Sequence, residues 1–215
     1  EILGYDFWDN DKKPYDSDPR QNPFYPRHHG TTVFSVIANE APETSIAIYR
    51  FPALSMCKFQ NMIEHINNNS IRLVNISMGS SKKSDWLCFK IAATKYKNII
   101  FVVSAGNNGF DIDQNLIYPA SFDLNNIITV TSSDQNGRLG RGSNFGKKSV
   151  DFMIPAERVE VLDHRGIKAF TGGTSYAAPR MTAMISRYLE KNPNKSVQDI
   201  INVLKKRSIK TNQNL

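Results

Sequence analysis

The sequence predicts an α/β protein of three layers, a mostly parallel central sheet with helices on both faces. Three observations lead there. Apolar runs of strand length alternate with amphipathic segments of helical length along most of the chain. The apolar runs are near-continuous, so their strands need cover on both faces, as parallel strands do. Finally, 215 residues with 40% hydrophobic and 22% charged content suffice for one domain with a sizeable core.

Taken in order, residues 1–28 read as a surface loop region before His29, polar and Pro-rich from position 9 to 27. The patterns predict helices over 30–38, 55–68, 84–96, 174–191 and 197–206. They predict strands over 46–50, 71–77, 98–105, 127–132 and 150–154. Ile99-Ile100-Phe101-Val102-Val103 is the most core-like of these runs, and Ser196 stands where the last helix needs an N-cap. No repeat or low-complexity linker divides the chain, so residues 1–215 read as one domain.

The formal net charge is +7. Its lysines and arginines are scattered, apart from Lys205-Lys206-Arg207, which reads as a solvated helix face. Without interleaved aromatic and basic residues, a nucleic-acid partner is not expected. No apolar run approaches the roughly 18 residues that cross a bilayer, so no membrane partner is expected either. Cys57 and Cys88 lie in helical segments; two free thiols and one disulfide fit equally well, and no metal-ligand spacing surrounds them. The chain begins at Glu1 with no visible signal peptide, as expected of a processed product or a trimmed piece.

Three segments carry chemistry. The run Phe170-Thr-Gly-Gly-Thr-Ser-Tyr-Ala-Ala-Pro-Arg-Met181 centres on Ser175. Small residues on both sides leave its hydroxyl open to a substrate backbone. A helix starting there offers free N–H groups and partial positive charge to a developing oxyanion. His29 precedes Gly30-Thr31 and an apolar helical run, so its imidazole is held from one side and open on the other, as a general base requires. His28, with no glycine after it, reads as a bystander. Asn107 lies in Ser104-Ala-Gly-Asn-Asn-Gly109, on the turn after a buried strand, where its side-chain amide can donate to an oxyanion. Asn108 reads as a turn residue.

These segments, in this order, resemble the subtilisin-like serine proteases (subtilases, peptidase family S8). The resemblance runs from about Gly4 to Leu204 and takes in Ile46–Phe51, Val74–Ser80, Tyr118–Ala120 and Ser143–Ala156 as ordered landmarks. It implies the subtilisin-like fold and a serine endopeptidase in which Ser175 attacks, His29 transfers the proton, and Asn107 assists the oxyanion hole. It also implies a substrate strand bound between Ser77-Met78-Gly79 and Ser104-Ala105-Gly106, with Ile117 near the pocket floor. An apolar residue there favours small or medium apolar side chains, whereas Asp111 and Asp113 nearby would favour a basic one; the sequence leaves both open. Tyr176 replaces the methionine often found after the serine.

The family's aspartate, borne at the end of an apolar strand before the histidine, has no matching motif here. Residues 4–11 look instead like the segment between that aspartate and the histidine. The resemblance therefore implies that the carboxylate is supplied by a missing or separate upstream segment; Asp6 is the substitute within this chain. The expected partners are a protein or peptide substrate and an associated N-terminal fragment or propeptide. No cofactor is required for the chemistry. Structural calcium is an option at Asp9, Asp11, Asp16 and Asp18, and a secreted or periplasmic location follows the family. The alternative function is a catalytically inactive peptide-binding module on the same fold.

Overall fold

The computed structural model describes residues 3–15, 28–50 and 56–210. In chain order the elements are β1 (Leu3–Asp6), α1 (His29–Glu40), β2 (Ala47–Arg50), α2 (Lys58–Asn68), β3 (Leu73–Ile76), α3 (Leu87–Lys95), β4 (Ile100–Ser104), β5 (Ile127–Ser133), β6 (Phe152–Pro155), β7 (Val159–Leu162), β8 (Lys168–Thr171), α4 (Thr174–Lys191) and α5 (Val197–Arg207). A 3-10 turn, Lys83–Trp86, leads into α3.

The centre is a parallel sheet in the order β3-β4-β5-β6. All five residues of β4 are buried, as its unbroken apolar run requires. The side chains alternate between two cores, because successive residues of a strand point to opposite faces. Phe101 and Val103 join Phe59, Ile63 and Phe89 in a layer with α2 and α3. Ile100 and Val102 join Val36, Met181, Ile185 and Ile200 in a layer with α1, α4 and α5. Helices thus cover both faces of a mostly parallel sheet, the three-layer arrangement that the sequence predicts.

The predicted elements match to within a few residues, with two corrections. Part of the expected N-terminal loop is a strand: β1 pairs in parallel with β2, Tyr5 opposite Tyr49. The apolar lead-in is only four residues long, too short for a pattern to be read. An antiparallel hairpin, β7–β8, is the second: five of its eight residues are exposed, and although β7 alternates buried with exposed, β8 shows no alternation for a pattern to mark. Cys57 and Cys88 form a disulfide joining the start of α2 to α3.

The pair β1-β2 does not hydrogen-bond to the main sheet. Yet both parts rest on the same core: Tyr5 and Tyr49, from β1 and β2, and Val74 and Ile76, from β3, all pack in the cluster built around α2. Among the described residues no strand pairs with the second edge of β2 or of β3. Both strands are correspondingly half-exposed, except for Ile76.

Candidate active site

α4 supplies the nucleophile candidate. Gly173 precedes it with φ 112°, a left-handed conformation that glycine tolerates, and the helix begins at Thr174. Ser175 therefore lies in the first turn and is half-buried. Its carbonyl is held by the Ser77 hydroxyl, which donates across from the loop after β3 at 2.8 Å.

Asn107 is fixed by its neighbour in α4. The Thr174 backbone N–H and hydroxyl both donate to the Asn107 side-chain oxygen, at 2.9 and 3.0 Å. With the oxygen so engaged, the amide NH₂ is the end left to face outward. Thr174, fully buried, also accepts from the Gly106 N–H at 3.1 Å. One threonine therefore ties the turn after β4 to the start of α4. Nothing in the sequence around Thr174 marks this role, because its partner lies 67 positions away. Asn144 plays a matching part from the other side. Its side chain donates to the Ala105 carbonyl and accepts from the Asn108 and Phe110 N–H groups.

His29 is the first residue of α1, and α1 packs along α4. Its ring lies 6.0 Å from the ring of Tyr176, edge-on at 62°, so the imidazole stands beside the residue that follows Ser175. The Thr32 hydroxyl donates to the His29 carbonyl at 2.9 Å and lies 3.0 Å from the Tyr176 hydroxyl. His28 turns away in a left-handed conformation and stacks on His164 of the β7–β8 turn, with centroids 3.9 Å apart.

Ser175 and Asn107 border one cleft of about 420 Å3. Of the expected substrate contacts, Met78, Gly79, Ser104, Gly106 and Ile117 line it. Ser77 and Ala105 do not: the Ser77 hydroxyl is used to anchor α4, and Ala105 is fully buried beneath the turn. Phe110, 47% exposed, adds an apolar rim that no sequence pattern marked. The Ile117 Cγ2 atom lies 3.4 Å from where a β-carbon on Gly79 would stand and 3.8 Å from one on Gly106. It thus closes the space between the two walls. A β-carbon on Gly79 would also come within 2.7 Å of the Tyr118 carbonyl oxygen, so the wall needs glycine there.

Among the described residues no charged side chain lines the cleft. The Asp113 carboxylate accepts from the N–H groups of Lys148 and Ser149 at 3.0 and 2.8 Å. Burial acts to raise its pKa, but these backbone and Ser149 side-chain bonds and the Lys148 charge outweigh it and hold the group below the usual carboxylate range. Asp111 is likewise taken up, by the Asp113 N–H and the Gln114 amide.

Asp6, fully buried at the end of β1, accepts from the N–H groups of Trp8 and Asp9 and from the Arg50 guanidinium, at 2.7, 2.8 and 2.9 Å. Its carboxylate is occupied in holding β1, its following turn and β2 together. Two of the four calcium candidates have partners of their own. Asp9 pairs with Arg50, Asp11 accepts from the Lys13 N–H, and no group of three or more potential ligands forms among the described residues. Asp16 and Asp18 lie outside the described residues.

A comparison with family models matches residues 4–214 to Peptidase_S8, the subtilase family. The chain belongs to the subtilase family. Among curated subtilases, it is 28% identical over 197 residues to a thermophilic serine proteinase of Bacillus sp. (strain AK1), covering 85% of this chain and 45% of that protein. It is 26% identical over 221 residues to subtilisin-like protease 2 of Plasmodium falciparum (isolate 3D7), covering 88% of this chain and 16% of that protein. The chain thus spans less than half the length of either relative. Among solved structures, the fold superimposes on the nisin leader peptidase NisP from Lactococcus lactis with a TM-score of 0.80 at 17% identity, covering 99% of this chain and 78% of that one. It superimposes on a cold-adapted subtilisin-like serine proteinase with a TM-score of 0.78 at 22% identity, covering 96% and 74%. Within this subtilase the three motif segments come from α1, the turn after β4 and the start of α4. All three lie at the carboxyl ends of strands or the amino ends of helices, where free backbone groups are available for ligands.

Proposed function

We propose that the chain forms the catalytic core of a serine endopeptidase. The observation that carries this is the shared cleft of Ser175 and Asn107, with the His29 ring beside the next residue of α4. In this reading the Ser175 hydroxyl attacks the scissile carbonyl while His29 accepts its proton. The tetrahedral oxyanion is stabilised by the Ser175 N–H and the Asn107 NH₂. His29 then protonates the leaving amine, and water repeats the sequence to release the acyl group. The bond between Thr174 and the Asn107 oxygen supports it, because it leaves the amide's donor end for the oxyanion.

The substrate is a protein or peptide chain lying extended against Met78-Gly79 and Ser104-Gly106. The side chain preceding the cleaved bond enters the uncharged cleft, whose apolar contacts are Met78, Phe110 and Ile117. Small or medium apolar side chains fit best. A basic one would find no carboxylate among the described lining residues, since Asp111 and Asp113 are committed within their own loop.

The reading takes its third catalytic group, a carboxylate that orients His29, from an extended segment outside these 215 residues. The edges of β2 and β3, each unpaired on one side among the described residues, support this, as both strands rest on one core. The engagement of Asp6 with Arg50 supports it too. Loss of such a carboxylate lowers turnover by about 10⁴. The Cys57–Cys88 disulfide favours an oxidising compartment, hence a secreted or periplasmic protein.

The test is covalent labelling of the complete natural polypeptide with a fluorophosphonate. Modification of Ser175, absent in Ser175→Ala and His29→Ala, is the expected result. Peptide binding that survives Ser175→Ala, with no labelling and no cleavage in the unaltered protein, would replace the protease by an inactive peptide-binding module.

A further inference from the structure

Resting on this reading of the site, the geometry points to Tyr176 and Thr32 as positioning residues that set the His29 imidazole relative to Ser175. Tyr176 is only 8% exposed, and it follows Ser175 directly in α4. Its ring meets the His29 ring edge-on, and its hydroxyl meets Thr32, one turn further along α1.

The direction of the hydrogen bonds follows from counting protons. Thr32 has one hydroxyl proton, and it goes to the His29 carbonyl. The 3.0 Å contact between the hydroxyls must then run from Tyr176 O–H to the Thr32 oxygen. The result is a one-way chain, from Tyr176 in α4, through Thr32, to the backbone of His29 itself. It fixes the first turn of α1 against the first turn of α4, at the residues on which proton transfer depends. The edge of the phenol ring also limits rotation of the imidazole. Neither residue would touch substrate; both act through His29. A displacement of about 1 Å in such a pair can cost about 10²-fold in rate.

The experiment uses the complete natural polypeptide and measures kcat and KM for peptide cleavage together with the rate of Ser175 phosphonylation. Tyr176→Phe keeps the ring and removes the chain's donor; Thr32→Val removes its middle. Each is expected to lower kcat and the phosphonylation rate by about 3- to 10-fold, the typical worth of one hydrogen bond, with KM within about twofold. Because both break one chain, the double variant should match the worse single variant and not the product of the two. Thr32→Ser, which keeps the hydroxyl, should restore most of the rate. Tyr176→Leu, which also removes the ring, should lose more than Tyr176→Phe.

Unchanged rates in Tyr176→Phe would overturn the inference. So would losses that multiply in the double variant, or that appear in KM alone. In each case a labelled, active parent protein leaves the protease reading standing. An unlabelled parent would sink that reading and this inference with it.

Discussion

Replacing Ile117 with alanine tests how the cleft selects its substrate. The Cγ2 atom of Ile117 stands close to both Gly79 and Gly106, so the side chain fills space between the two walls of the cleft. The substitution removes three carbon atoms and lengthens the cleft by that much. A substrate side chain that fills the new space buries up to three methylene-sized groups, at about 0.8 kcal/mol each, or about 2.4 kcal/mol in all. That corresponds to about 50-fold in kcat/KM, inside the range seen when one hydrophobic pocket distinguishes apolar side chains. The assay is kcat/KM for peptides that differ only in the residue before the cleaved bond, with alanine, valine, leucine, phenylalanine and lysine compared. The parent enzyme should favour valine or leucine over phenylalanine and reject lysine. Ile117→Ala should raise phenylalanine relative to valine by roughly 10- to 50-fold, with little change for alanine. A parent enzyme that prefers phenylalanine or lysine would refute the reasoning. So would a ratio that moves less than about twofold in the variant.

Asn107→Ala removes the proposed side-chain donor to the oxyanion; kcat should fall about 10²–10³-fold with KM nearly unchanged, measured on material whose folding is checked by circular dichroism. Reducing the Cys57–Cys88 disulfide, which spans 31 residues, should lower stability by about 3.5 kcal/mol in the loop-entropy picture. That is about 10 °C in Tm for a domain of this size, read by melting with and without reductant. The Asp163 carboxyl accepts from the Ile167 N–H, the Arg165 guanidinium and the Arg165 N–H, and is held at about 2. Its contribution to the β7–β8 turn is complete above the usual carboxylate range and is lost as pH falls through about 2. Asp163→Asn should remove that acid-side slope and speed amide exchange at Ile167 at neutral pH.

Much of the fold was legible because the layers are written in runs of one kind. β4 is five buried residues in a row, and α4 spans residues 174–191 as its pattern predicts. Ser196 caps α5 as expected, and Asp199 completes a capping box. The candidate site's placement was legible where local backbone chemistry dictates composition: small residues before a serine at a helix start, an asparagine after a buried strand. What stayed hidden depends on distant partners. Nothing near Thr174 in the sequence says that it will hold Asn107, 67 positions away. Phe110 is one exposed aromatic residue among many and becomes informative only when the cleft is drawn around it. The disulfide could not be separated from two free thiols, because pairing depends on how α2 and α3 lie together and not on spacing.

Among the described residues, β2 and β3 each keep one edge without a pairing strand. Four-residue strands with one unpaired side leave peptide groups that water must satisfy, and folded proteins seldom keep such edges bare. Here both strands belong to parallel pairs, and both lean on the core around α2. A single extended segment between them would pair with both, join the two sheets into one, and bury side chains against Tyr49 and Val74. If it runs parallel, as its neighbours do, its carboxyl end falls on the side of the sheet where the turn after β4 presents Asn107. A carboxylate at that end would serve His29, whereas Asp6 is already engaged with Arg50. Hydrogen exchange distinguishes the possibilities when residues 1–215 are compared with the complete natural polypeptide. Protection should rise at alternate amides of β2 and β3 and leave the fully buried β4 unchanged. Edges that exchange equally fast in both would mean that the gap is not filled by a strand, and the source of the third catalytic group would have to be sought elsewhere on the molecule.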